Sequence, residues 1–332
     1  MSEQVEAGRV GAALREYLRP ASAVDVSRRI DVRQSLETVM NHTAPGNVPL
    51  GRWPDSPERP LAMSQQLAVN SVMRMLDPRH AGIFAVNGPP GTGKTTILRD
   101  IIAAVVVERA RQLARLTRPS EAFTGRRQWK SGKYTRIVHT WKPELTGFEM
   151  VVASANNGAV ENVTDEIPAH GAIDDFWRED AVRLDYFPGI GSALLTIDRT
   201  DGSGNPTRAE VAGSAWALMA ARLGNKVNRS GFVSAAWFGK HENGQSSEQK
   251  SEAFESDGLP EDGLAKSGLR EVLESYERSG PSCSWSDAVD RFCRVLDRAA
   301  SIQSDRHHAY SSLAEKDQCQ RALEAAHLVP RG

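Results

Sequence analysis

The sequence predicts an α/β fold in which a parallel sheet is flanked by helices, with further helices at both ends of the chain. Three observations predict it. Ile83–Val86 is a short β-branched and aromatic run that ends in glycines, as a strand does before a tight turn. From Thr95 to about Leu116, helical spacing places Ile97, Ile101, Ala104, Val105, Ala110 and Leu113 on one face. Met150–Ala153 then begins the alternation again, as an apolar strand that leads into a helix over Gly158–Ile167.

The remaining elements follow in chain order. Residues 1–60 read as a helical extension and a linker. Val10, Ala13, Leu14, Tyr17 and Leu18 recur at helical spacing. Between His42 and Pro60, five prolines and two glycines break any regular element. Residues 61–200 hold the strand–helix units, opened by a short helix for which Ser64 can act as N-cap. A basic, loop-rich insert lies between Arg118 and Pro143, with a short hairpin around Tyr134–Trp141. The segment 201–332, which begins with the turn-forming DGSGN, reads as a mostly helical insertion or arm. Few apolar residues between 240 and 268 predict disorder there. Near the end Trp285, Ala288, Val289, Phe292, Val295, Leu296, Ala299 and Ile302 keep helical spacing, and beyond Ser304 the stripe weakens as in a projecting arm.

The 332 residues leave room for two domains of roughly 150 residues each. A formal net charge of -1 means that any nucleic-acid site must be a local patch. Cys283, Cys293 and Cys319 form no CxxC pair, which predicts reduced thiols rather than a redox or zinc site. His307 and His308 lack neighbouring ligands at metal spacing. The longest apolar stretch, Ile101–Val107, falls far short of the roughly 20 residues that cross a bilayer, and the N-terminus reads as an amphipathic helix. The expectation is a soluble, cytoplasmic protein that engages no membrane.

Chemistry concentrates at Gly88-Pro89-Pro90-Gly91-Thr92-Gly93-Lys94-Thr95, followed by Thr96. The run fits G-x-x-x-x-G-K-[ST] and stands between the expected strand and helix. Its glycines allow backbone angles that aim successive N–H groups at phosphate oxygens. Lys94 would reach the β- and γ-phosphates, Thr95 would ligate Mg²⁺, and the positive end of the helix points at the same anion. The bland alternative is a glycine-rich turn that only joins a strand to a helix.

VNGPPGTGKTT (86–96) resembles the Walker A motif of superfamily 1 helicases, in the branch that includes the nonsense-mediated-decay helicase. Leu61–Val69 resembles that family's Q motif, with Gln65, 29 residues before Lys94, in the place of the adenine-reading glutamine. An amide can donate and accept at once, which suits the adenine edge; a solvated helix residue is the alternative. Val151–Thr164 resembles motif Ia, which implies contacts from Ser154, Asn156 and Asn157 to a nucleic-acid backbone. Those residues could also merely cap the following helix. The resemblance spans about Leu61–Pro168 and returns loosely at 220–232. It implies an incomplete RecA-like P-loop NTPase fold, ATP and Mg²⁺ as ligands, and single-stranded DNA or RNA as partner.

From Arg99 to Lys142 there are eleven Lys/Arg against three Asp/Glu, with Trp129, Tyr134 and Trp141 interleaved. That mixture suits a surface that follows phosphates and stacks bases. Arg126, Arg127, Lys130, Lys133 and Arg136 are the candidates; for Arg109, Arg111 and Arg115 the alternative is the solvated outer face of a helix.

Hydrolysis in the family requires a DExx-type box, which the sequence lacks. Asp165-Glu166 has no apolar strand before it, and Asp174-Asp175 lies in a polar stretch. Arginine fingers and a second RecA-like domain are missing too. The expectation is therefore a longer helicase parent, with this chain binding ATP weakly and not turning it over. The rival is a non-catalytic ATP-binding switch or scaffold whose C-terminal helices dock a protein partner. A small-molecule kinase would need an acceptor pocket and a lid arginine cluster, and it leaves Gln65 and residues 151–164 unexplained.

Overall fold

The computed structural model describes residues 11–23, 25–75, 82–89, 91–154, 163–200, 206–210, 214–239 and 268–327. Along the chain the helices are α1 (Ala12–Tyr17), α2 (Leu36–Thr43), α3 (Met63–Met75), α4 (Lys94–Leu113), α5 (Arg178–Leu184), α6 (Pro188–Leu195), α7 (Lys226–Val233), α8 (Leu269–Ser279) and α9 (Trp285–His327). The strands are β1 (Phe123–Ser131), β2 (Tyr134–Trp141), β3 (Thr196–Thr200) and β4 (Pro206–Glu210). Two compact units result: Met1–Trp53, Leu61–Met150 and Cys283–Gly332 form one, and Pro54–Pro60 with Val151–Ser282 form the other.

Among the described residues the expected parallel sheet is not present, and the RecA-like P-loop fold implied by the resemblance is corrected accordingly. Among the described residues every strand pair is antiparallel: β1 with β2, and β3 with β4. Residues 82–89 and 148–154, which contain both expected parallel strands, have no regular structure. Ile83 and Val86 are exposed, and Val151 is 91% exposed. The physical reason is partnership. A parallel strand needs a neighbouring strand to pair with and cover on both faces of its sheet, and two isolated four-residue apolar runs supply neither. The helical N-terminal extension is present as α1, α2 and short 3-10 turns. The expected disorder at 240–268 falls, apart from Gly268, outside the described residues.

In the first unit, α3 packs on α4. Val69 and Val72 of α3 are buried, as are Ile97, Ile102 and Ala104 of α4. Each of the buried valines and isoleucines contributes on the order of 1.5–3 kcal/mol relative to exposure. The Asn70 amide donates to the His42 carbonyl at 2.8 Å and joins α3 to α2. A Cβ at Gly51 would strike the Ala103 carbonyl oxygen, so only glycine lets this segment lie on α4. α9 begins with a reciprocal cap: the Asp287 amide donates to Ser284 Oγ, which donates back to the Asp287 carboxylate. The Trp285 indole donates to the Leu116 carbonyl, and the Gln303 amide to the Pro45 and Val48 carbonyls. Residues 312–321 of α9 are exposed.

The second unit is built around a short crossing of chain segments. Ala169 bridges Ala215 in antiparallel fashion, the Trp216 amide donates to the Pro168 carbonyl, and the Trp216 indole donates to Ile167. Ile173, Ile190, Leu195, Ala217, Ala235 and Ala236 are buried in this unit. No helix among the described residues is long and apolar enough to cross a membrane.

Candidate functional site

Two of the three glycines of the glycine-rich loop adopt left-handed backbone angles, although no strand precedes it among the described residues. Gly91 and Gly93 lie in the left-handed region, with φ of 81° and 78°. Gly93 is the N-cap of α4, and the first helical bond runs from the Ile97 amide to the Gly93 carbonyl at 3.1 Å. The amides of Lys94, Thr95 and Thr96 precede that bond and have no intrahelical acceptor. α4 has no acidic residue in its first turn, so nothing there opposes an anion.

Side chains brace the loop from within. Thr92 Oγ1 donates to the Pro89 carbonyl at 2.8 Å. Lys94 Nζ folds across the loop and donates to the Gly88 and Pro89 carbonyls at 2.7 and 2.8 Å. A Cβ at Gly88 would stand 2.6 Å from Thr92 Oγ1, closer than real contacts allow. Thr95 and Thr96 are half-buried on the first turn of α4. Pro90 lies outside the described residues.

Gln65, singled out only through its resemblance to an adenine reader, stands against this loop. Its Nε2 donates to the Thr92 carbonyl at 3.2 Å, and its Oε1 accepts from the Ala62 amide at 2.9 Å. A Cβ at Gly93 would collide with the same Nε2. The packing of Val69 and Val72 on α4 holds α3 where Gln65 meets the loop, so two segments 29 residues apart become one site.

Sequence reasoning missed the brace beneath the loop. Asp100 is 4% exposed and accepts from Arg52 Nε at 2.7 Å and from the Trp53 amide at 3.2 Å. Arg99 lies over the Trp53 ring at 5.8 Å. These contacts tie the Pro/Gly-rich segment to the helix that carries the loop. The available signal was a lone acid within the otherwise apolar face of α4, which implies a buried partner.

The motif-Ia candidates belong to the other unit. Ser154 is exposed at the end of a segment without regular structure, and Asn156 and Asn157 lie outside the described residues. Of the helix expected over Gly158–Ile167, residues 163–166 are helical. Asp165 is buried there, and both its oxygens accept from Arg222, which also belongs to the loosely resembling segment 220–232. Among the described residues no group of three or more His, Cys, Asp or Glu is arranged to hold a metal ion. Comparison of the chain with protein-family models, with curated proteins and with solved structures returned no match.

Proposed function

We propose that the chain binds ATP with Mg²⁺ at Gly88–Thr96, as the ATP-binding part of a superfamily 1 helicase or translocase acting on single-stranded DNA or RNA. The observation that carries the nucleotide reading is the pairing of two left-handed glycines with the open N-terminus of α4, beside a lysine already folded over the loop. Gly88, Pro89, Pro90, Gly91, Thr92 and Gly93 form the phosphate cradle. Lys94 exchanges its two carbonyl partners for phosphate oxygens, and the Thr95 hydroxyl ligates Mg²⁺. When bound, the metal neutralises charge on the phosphates. Gln65 turns its amide from the Thr92 carbonyl to the adenine edge. The helicase part of the reading is supported by the resemblance of residues 61–69, 86–96 and 151–164, with Ser154, Asn156 and Asn157 on the nucleic-acid backbone. A cytoplasmic location fits the three free cysteines.

One observation favours a second reading, an ATP-binding switch or scaffold without turnover. Arg222 holds both oxygens of Asp165, so the acid that directly follows motif Ia is engaged in a structural pair. Titration of the full chain with a fluorescent ATP analogue and Mg²⁺ tests the shared claim. Saturable binding is expected, with Lys94→Ala raising the dissociation constant at least about tenfold, in line with loss of a charge-assisted contact. Equal binding by the variant contradicts the assignment. Turnover stimulated by nucleic acid in a longer parent separates the helicase from the switch.

A further inference from the structure

The β1–β2 hairpin is a long antiparallel ribbon whose residues are exposed on both faces for almost its whole length. A ribbon with no core to cover has no folding reason to carry aromatics, yet Trp129 and Tyr134 are 51% and 57% exposed. From Phe123 to Lys142 it contains six Lys/Arg and no Asp or Glu.

Register sorts these side chains. Trp129 pairs with Arg136, Arg127 with Val138 and Ser131 with Tyr134, so Arg127, Trp129, Tyr134 and Arg136 share one face. The opposite face carries Arg126, Lys130 and His139, and its root is anchored. Phe123 packs on His139 and Trp141 at 5.1 and 4.6 Å, and Arg109 of α4 lies over Trp141 at 5.7 Å. On the first face, Arg136 is 5.5 Å from the centre of the Tyr134 ring. Cation and ring surfaces thus alternate along one strand pair, with no acid to repel a polyanion.

We propose that the Arg127–Trp129–Tyr134–Arg136 face binds single-stranded nucleic acid, with bases stacking on the two rings and the guanidiniums on phosphates. Stacking requires unpaired bases, which selects single strands over duplex. This deepens the functional reading above by naming a second nucleic-acid site. The binding itself does not depend on the nucleotide site, and α4 joins the two, with the phosphate loop at its start and Arg109 near its end.

The test is fluorescence anisotropy of the full chain with labelled ten-nucleotide oligo(dT) and oligo(U), and with a duplex of equal length. Binding of at least one single strand is expected, tighter than the duplex and weakening with salt. Trp129→Ala with Tyr134→Ala should weaken it about tenfold or more, whereas Trp129→Phe retains most of the affinity. Gln128→Ala with Thr135→Ala, on the other face, should change it less than twofold. Because these side chains are exposed, unchanged circular dichroism is expected for every variant. Absence of binding to both single strands overturns the proposal, as does equal binding to duplex or indifference to the aromatic pair. Lys94→Ala leaves this binding intact without nucleotide, so failure of the ATP reading and failure of the hairpin reading are separable.

Discussion

Gly93 carries two constraints at once. Its φ of 78° is strained for any side chain, and the space where a Cβ would stand is filled by the Gln65 amide. Gly93→Ala should therefore cost about 1–2 kcal/mol from backbone strain alone, with a further contribution from displacing Gln65. The second part depends on the glutamine, so the penalty should shrink in a Gln65→Ala background. Urea unfolding of the two single variants and the double variant reads this coupling; strictly additive losses would mean that the two residues do not meet. The left-handed glycines and the start of α4 were legible because the G-x-x-x-x-G-K-[ST] pattern sets its glycines just before a helix. Asp100 was not, since its partners Arg52 and Trp53 lie nearly fifty residues away in a segment that reads as linker.

The elements show which patterns the sequence discloses and which it hides. α4 and α9 repeat apolar residues at helical spacing and form close to where that spacing puts them, whereas α3 begins at Met63 and takes in Ser64, which the sequence offers as its N-cap. Ile83–Val86 and Met150–Ala153 have the composition of strands, yet a strand exists only with a neighbour, and composition does not name one. The reverse holds for β1, whose sequence FTGRRQWKS has no buried face and so no alternation to read. Its form follows from pairing with β2 across the tight turn at Gly132, where φ is 60°. The turn beginning at His170 adds a pH dependence. Burial, and then the Arg178 guanidinium, lowers the His170 pKa below its ordinary value of 6.5. The unfolded chain therefore binds this proton more readily than the folded one. Its contribution is complete above about pH 6.5 and is lost as the pH falls from there towards the lowered value. Thermal midpoints at pH 7.5 and 5.5 should differ, and by less in His170→Gln; an unchanged difference would remove this histidine as a cause.

Across the whole molecule a net charge of -1 conceals strong local segregation. The glycine-rich loop, α4 and the cationic hairpin are consecutive parts of one compact unit, whereas the acid pair at 165–166 belongs to the other. Glycine-rich and cationic features thus lie together on one segment of chain, and this arrangement supports the proposal of a nucleotide and a nucleic acid as its ligands. Amide hydrogen exchange of the full chain with and without ATP and Mg²⁺ tests nucleotide binding at the loop most directly. The account predicts slower exchange for the amides from Gly91 to Ile97 on addition of nucleotide, and no such protection in Lys94→Ala. Unchanged exchange at these amides under saturating nucleotide, or equal protection in the variant, would contradict it.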